Sequence, residues 1–227
     1  MATASRDTRR IGAVIFDLDG VIVDSEIWWH EVREAWAEGQ GLRWTDEDSR
    51  AVMGANSRDW ARIMRERKGL DPSAEPEIEQ AVVQGVIERY ARDGAPRIEG
   101  ATDAVRHVAA RLPVAVASSA HRAVIQAALA ATDLVDVFPV VVSSDDVEHG
   151  KPAPDVYLEA ASQLGIPPVQ CLVVEDSLNG VKAGRAAGMH VVLVPNATVP
   201  PAPEAFVLAD EVLERLAMLP ALLERAS

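Results

Sequence analysis

The sequence predicts an α/β protein: a doubly wound parallel sheet interrupted by a block of helices. Three observations carry that expectation. Five short apolar runs are continuous rather than alternating, as strands covered on both faces are. Helix-length stretches separate most of them, the rhythm of a parallel sheet wound on both sides. About seventy residues after the first run contain helical patterns and no convincing strand.

The first strand is "AVIF", residues 13–16, followed directly by Asp17-Leu18-Asp19-Gly20. Helical patterns then run through 26–38, 45–52, 57–68 and 76–92, broken by "EGQGLRW" and "GLDPSAEP". This block carries all five tryptophans: Trp28, Trp29, Trp36, Trp44 and Trp60. The strands resume at "VAVA" (114–117), "VVV" (140–142), "LVV" (172–174) and "VVLV" (191–194), with helices expected at 101–111, 121–131, 153–164 and 178–187. A weaker sixth strand is read at "AFVLAD", a last helix near 211–225, and a surface loop in the Pro-rich "PNATVPPAPEA". The expected organisation is a core domain from 1–25 and 96–227 and an all-helical cap domain from 26–95. A helical bundle needs a core of its own, and the tryptophans supply one. Its departure straight after the two carboxylates favours a cap over a site on the sheet.

The 227 residues are 48% hydrophobic and 25% charged, enough for one large domain or a core with a smaller insertion. A formal net charge of −13 argues against a general nucleic-acid binder or an anionic-membrane binder, since either surface would repel the chain. The single cysteine, Cys171, excludes an intrachain disulfide and points to a reducing compartment. The opening "MATASRDTRR" lacks a signal-peptide apolar stretch, and no 18-residue apolar run occurs. A cytoplasmic protein is expected, with a monomer as the default.

In an open parallel sheet, ligands bind beyond the carboxyl ends of the strands. Those ends carry Asp17 and Asp19, then Ser118 and Ser119, then the loop holding Lys151, then Glu175 and Asp176. Taken alone, each has a plain structural explanation: a serine caps a helix, a loop lysine is solvated, Glu-Asp complements a helix N-terminus. Their coincidence at four strand ends favours a joint reading. Asp17 and Asp19 point to one face of a strand, and like charges so close need something positive beside them. Mg²⁺ satisfies that need with one or two carboxylates plus a substrate phosphate. Asp17 and Asp176 are the obvious pair, Lys151 adds a second charge, and Ser118 offers a hydroxyl to a phosphoryl oxygen.

These residues resemble the haloacid dehalogenase superfamily, mostly phosphatases and phosphomutases on a Rossmann-like core. The motifs stand here as "DLDGVIVDS", the strand-ending Ser118, Lys151 in "GKPAPDVY", and the acidic pair in "VVEDSLNGVKAGRAAGM". The resemblance implies that Asp17 is the nucleophile forming an aspartyl-phosphate and a Mg²⁺ ligand. Asp19 would be the acid/base, lending its backbone carbonyl to the metal; Asp176 the remaining ligand; Glu175 a direct or indirect contributor; and Ser118 and Lys151 the phosphoryl holders. The dehalogenases themselves lack the second Asp, so Asp19 argues for phosphate esters. The phosphonate-cleaving branch needs a cap lysine, and Lys68, alone in that block, reads as a solvated helix end.

Gly20, Arg58, Ser119, His121 and Arg122 are expected around the substrate. Arg58, in "GANSRDW", sits where β-phosphoglucomutases carry a cap arginine. Other mutase features are missing: the second long cap helix has no lysine, the hinge histidine falls at Trp29 with His30 adjacent, and Ala120 stands where a mutase has a serine. The expectation is a Mg²⁺-dependent phosphatase acting on a small phosphorylated metabolite such as a sugar or polyol phosphate. A β-phosphoglucomutase-type mutase is the alternative, followed by a phosphate-ester-binding regulatory module without turnover.

Overall fold

The computed structural model describes residues 10–52 and 57–226, with the backbone alone at 57, 58 and 226. Six parallel strands lie in the order β3-β2-β1-β4-β5-β6. They are β1 (Ala13–Phe16), β2 (Val114–Ser118), β3 (Val140–Ser143), β4 (Cys171–Glu175), β5 (His190–Leu193) and β6 (Glu211–Val212). Among the described residues the α-helices are α1 (Glu26–Gly39), α2 (Asp46–Val52), α3 (Ser57–Lys68), α4 (Glu75–Asp93), α5 (Ala101–Ala109), α6 (Arg122–Ala131), α7 (Asp155–Leu164), α8 (Leu178–Ala186), α9 (Pro203–Leu208) and α10 (Leu219–Ala226). β1 is central: Ile15 is in register with Ala115 on one side and Val173 on the other. The chain winds outward from β1 through β2 and β3, then crosses back to β4, so the order reverses between β1 and β4. That reversal opens a crevice at the carboxyl ends of the two strands.

Alternation along β1 explains the two layers. Val14 and Phe16 pack with α5, α6, α10 and the helical insert, while Ala13 and Ile15 face α7, α8 and α9. Both faces of the strand are buried, which is why its sequence is apolar without a break.

The insert leaves and returns through two adjacent crossings. Asp24 N–H donates to the Pro96 carbonyl at 2.8 Å, and Val23 pairs with Arg97 in an antiparallel bridge. Trp28, Trp29, Trp44 and Trp60 are buried in the same apolar cluster as Phe16, so the insert continues one face of the core. Gly41 and Gly69, both at positive φ, mark the breaks after α1 and α3. Inside the insert, buried Asp48 accepts from Arg67 Nε and Lys68 Nζ, each at 2.6 Å, and from Thr45 Oγ1 at 2.7 Å. Burial opposes its charge, but the Lys68, Arg67 and Thr45 donors hold its carboxyl well below the usual carboxylate range. Lys68 also lies 5.1 Å from the Trp44 ring centroid, so it is packed rather than solvated.

Two expectations at the C-terminal end are corrected. "AFVLAD" is mostly helix: Pro203 occupies its first turn, where the fixed φ of proline suits helix initiation, and Ala205 is its buried contact. The sixth strand comes just after it, with Glu211 and Val212 beside Val192 and Leu193. The last helix is shorter than expected, because residues 213–215 are extended or bent and a 3₁₀ turn at Leu216–Met218 precedes α10.

Candidate active site at the ends of β1 and β4

Asp17 prolongs β1 by one residue, its N–H donating to the Val174 carbonyl of β4 at 2.9 Å. The chain then doubles back: Ile22 N–H reaches the Leu18 carbonyl at 2.8 Å and Gly20 N–H the Val23 carbonyl at 2.7 Å. Gly20 has φ +81°, and a β-carbon there would stand 1.9 Å from Asp176 Oδ2. Its role is to turn the chain and leave room for Asp176. Gly180, in the first turn of α8, does the same for Glu175, since a β-carbon there would meet Glu175 Oε1 at 1.7 Å.

Lys151 reaches in from the loop between β3 and α7 and is buried. Its Nζ donates to Asp17 Oδ1 at 2.7 Å and to Glu175 Oε1 at 2.6 Å. Burial alone would strip its charge, but Asp17 and Glu175 hold it protonated well above the ordinary lysine range. Glu175 is fully enclosed. Oε1 also accepts from Tyr157 OH at 2.7 Å; Oε2 accepts from the N–H groups of Asp176 and Ser177 and from Ser177 Oγ at 3.0–3.1 Å. Burial opposes its charge too, yet Lys151 and these donors bring its pKa below the ordinary glutamate value. With both oxygens so occupied, Glu175 fixes Lys151.

Asp17 and Asp176 are placed differently. Burial, followed by the facing carboxylates, outweighs Lys151 and pushes Asp17 up to about 7; burial, Glu175 and Asp17 raise Asp176 well above the carboxylate range. Carboxylate oxygens of Asp17, Glu175 and Asp176 lie within 4.8 Å of one another. This set fits a hard divalent cation: oxygen donors only, close together, two of the three buried, with Asp17 and Asp176 short of positive charge. Asp19 is not in that cluster. Its carboxylate accepts from Ser25 Oγ and the Trp29 side chain, with Ser118 Oγ at 3.5 Å, and burial raises its pKa.

A cleft of about 270 Å³ opens over these groups, lined on the sheet side by Asp17, Asp19, Ser118, Ser119, Lys151 and Asp176. Gly20, His121 and Arg122 do not line it. His121 caps α6, its Nδ1 accepting from the Ala123 N–H at 3.2 Å; Arg122 is held by Asp146 and by the Val141 carbonyl at 3.1 Å. Arg58 lies at the start of α3, and its side chain falls outside the described residues. The "PNATVPPAPEA" segment is more than a surface loop, because Val199 to Ala202 form one wall of the cleft. Asn196 and Thr198 tie that segment to Asp24 at 3.1 and 2.6 Å. The insert supplies the roof: Glu26, Trp29, Arg33, Val52 and Trp60. Glu26 and Arg33 were not singled out from sequence. The signal was there, since 26, 29 and 33 are spaced to share one helical face with Trp29, directly after the strand-end carboxylates.

A profile of the haloacid dehalogenase-like hydrolases matches residues 11–188. The chain belongs to that family. It is 35% identical over 193 residues to protein CbbY of Rhodobacter capsulatus, covering 81% of this chain and 85% of that one. It is 34% identical over 188 residues to the fructose-1-phosphate phosphatase YqaB of Escherichia coli, covering 81% and 96%. The crystal structure of CbbY from Rhodobacter sphaeroides in complex with phosphate superposes with a TM-score of 0.82 at 26% identity, over 92% of this chain and 96% of that one. Among the described residues, no helix is long and apolar enough to cross a membrane.

Proposed function

We propose that this protein is a Mg²⁺-dependent phosphatase that hydrolyses a sugar or polyol phosphate through an aspartyl-phosphate on Asp17. The observation that carries the reading is the division of environment between two carboxylates two residues apart. Asp17 lies against Lys151 and the acids of β4, whereas Asp19 lies against Ser25, Trp29 and Ser118. Separated environments of this kind assign nucleophile and acid/base roles. The relative named as a fructose-1-phosphate phosphatase supports the substrate class.

Asp17 Oδ attacks phosphorus while Lys151 and Ser118 hold the equatorial oxygens. Asp19, whose pKa is raised by burial, gives a proton to the departing ester oxygen. In the second step Asp19 takes a proton from the water that attacks the acyl-phosphate, which restores Asp17 and releases phosphate. Asp17 and Asp176 would hold Mg²⁺, which supplies the positive charge that lets a carboxylate approach an anionic phosphate. Glu175 keeps Lys151 in place throughout. Residues 26–95 act as a cap over the core formed by 1–25 and 96–227, opening at the paired crossings near Val23 and Arg97 to admit substrate and closing to exclude water. The acidic surface and the single buried cysteine suit a cytoplasmic setting.

The test is phosphate release from a panel of phosphorylated metabolites with Mg²⁺, with EDTA and Asp17→Asn as controls. Release from sugar or polyol phosphates, lost in both controls, is expected. Conversion of β-glucose 1-phosphate to the 6-phosphate without phosphate release would assign a mutase instead.

A further inference from the structure

The roof of the cleft contains a buried cation that the chemistry at the strand ends does not use. Arg33, in the third turn of α1, is 8% exposed, and its Nε has no hydrogen-bond partner. Its guanidinium carbon lies 5.2 Å from the Trp29 ring centroid and 5.5 Å from that of Trp60, and the two rings meet edge to face at 6.2 Å. A buried guanidinium N–H without a partner is costly, and this one lines the cleft, where a ligand atom can reach it. Burial pushes the group down to about 10, so it stays charged at neutral pH. Glu26 lines the same cleft two helical turns earlier, and Asp19 is its other acidic neighbour.

The cluster combines a planar donor fork, a carboxylate acceptor and aromatic walls, all supplied to the cleft by the insert rather than by the strand ends. A second phosphate or carboxylate on the substrate would gain Arg33 but meet Glu26, whose charge already answers it. A hydroxyl suits both, because it accepts from the guanidinium and donates to the carboxylate. C–H faces can lie on indole rings without loss.

We propose that Arg33 and Glu26 form a specificity-determining subsite that reads the hydroxyls of a neutral, polyhydroxylated leaving group. Trp29 and Trp60 hold the guanidinium in orientation. Trp29 also hydrogen-bonds Asp19, so a leaving group seated on Arg33 is aligned with the acid that protonates its ester oxygen. The inference rests on the phosphatase reading for which end of the substrate enters the roof.

The test measures binding and turnover separately. Binding to the Asp17→Asn protein is followed by calorimetry with glucitol 6-phosphate, n-hexyl phosphate (the same length without hydroxyls) and fructose 1,6-bisphosphate. Glucitol 6-phosphate is expected to bind at least about tenfold more tightly than hexyl phosphate, the scale of one or two hydrogen bonds to a charged group. Adding Arg33→Lys, which keeps the charge and loses the fork, or Glu26→Gln should reduce that preference to about threefold or less. Thermal melts check folding, and Glu26→Gln decides if Arg33→Lys does not fold. Equal binding of the two monophosphates, tighter binding of the bisphosphate, or a preference that survives both variants would overturn the subsite. Turnover by the wild-type protein with Mg²⁺ separates this from the parent reading. An Arg33-dependent binding preference without phosphate release would sink the phosphatase and keep the subsite. Equal kcat/KM for hexyl and glucitol esters would do the reverse.

Discussion

Two ion clusters built on buried acids in this molecule use the same pieces in opposite proportion. In the insert, one carboxylate, Asp48, faces two cations, Arg67 and Lys68. At the strand ends, one cation, Lys151, faces two carboxylates, Asp17 and Glu175, with Asp176 and Asp19 close behind. The first cluster satisfies its acid and lowers its pKa; the second leaves three aspartates raised. Proximity of opposite charges therefore does not separate scaffold from site. The surplus does: excess cation around one acid locks helices together, and excess acid around one cation is a place for another positive charge.

Substitutions should affect the clusters in opposite currencies, one in rate and the other in stability. Gly20→Ala is expected to displace Asp176 and lower phosphate release by about a hundredfold, the cost of an ångström-scale misplacement, measured as kcat/KM on the best ester of the panel. Asp48→Asn removes the buried acid shared by the exposed Arg67 and the partly buried Lys68, and should lower unfolding free energy in urea by about 1.5 kcal/mol, the scale of a hydrogen bond to a charged group, with far less effect on turnover. Comparable rate losses in both variants would erase the distinction.

Acid titration sharpens it with opposite signs. Without metal, Asp17, near 7 in the folded protein, takes up a proton far above the pH at which an unfolded aspartate does. Stability in EDTA should therefore rise as pH falls from about 8 to about 5, with Asp176 and Asp19 acting the same way. Asp48 is shifted the other way, so its contribution is complete above about pH 4 and is lost as pH falls through its lower folded pKa. Urea midpoints across this range should show the first limb reduced in Asp17→Asn and the second reduced in Asp48→Asn.

Much of this was legible in the sequence, for physical reasons. Buried parallel strands must be continuously apolar, so β1 to β5 stood out from their neighbours; β6, two exposed residues at the sheet edge, has no such requirement and was missed. The acids, Ser118 and Lys151 were visible because strand ends are the one place where an open sheet gathers polar groups. Partner choice was not visible. Nothing in "LVVEDS" or its surroundings says that Glu175 spends both oxygens on Lys151, Tyr157 and its own turn while Asp176 keeps its own for the cleft. His121 and Arg122 follow a strand end but are taken up by a helix cap and by Asp146. The spacing of 26, 29 and 33 puts Arg33 on one helical face with Trp29, but tertiary packing decides that this face and the 199–202 wall meet at the cleft.

The central claim is that the strand-end acids form a negative surplus completed by a divalent cation. Thermal unfolding of the wild-type protein and Asp176→Asn, with MgCl₂ and with EDTA at matched ionic strength, tests it most directly. The wild type should be stabilised by Mg²⁺, by about 2.7 kcal/mol once the ion reaches a hundred times its Kd. Asp176→Asn should melt no lower than the wild type in EDTA and gain little from the ion. A wild type indifferent to Mg²⁺, or a variant that responds equally, would contradict the account.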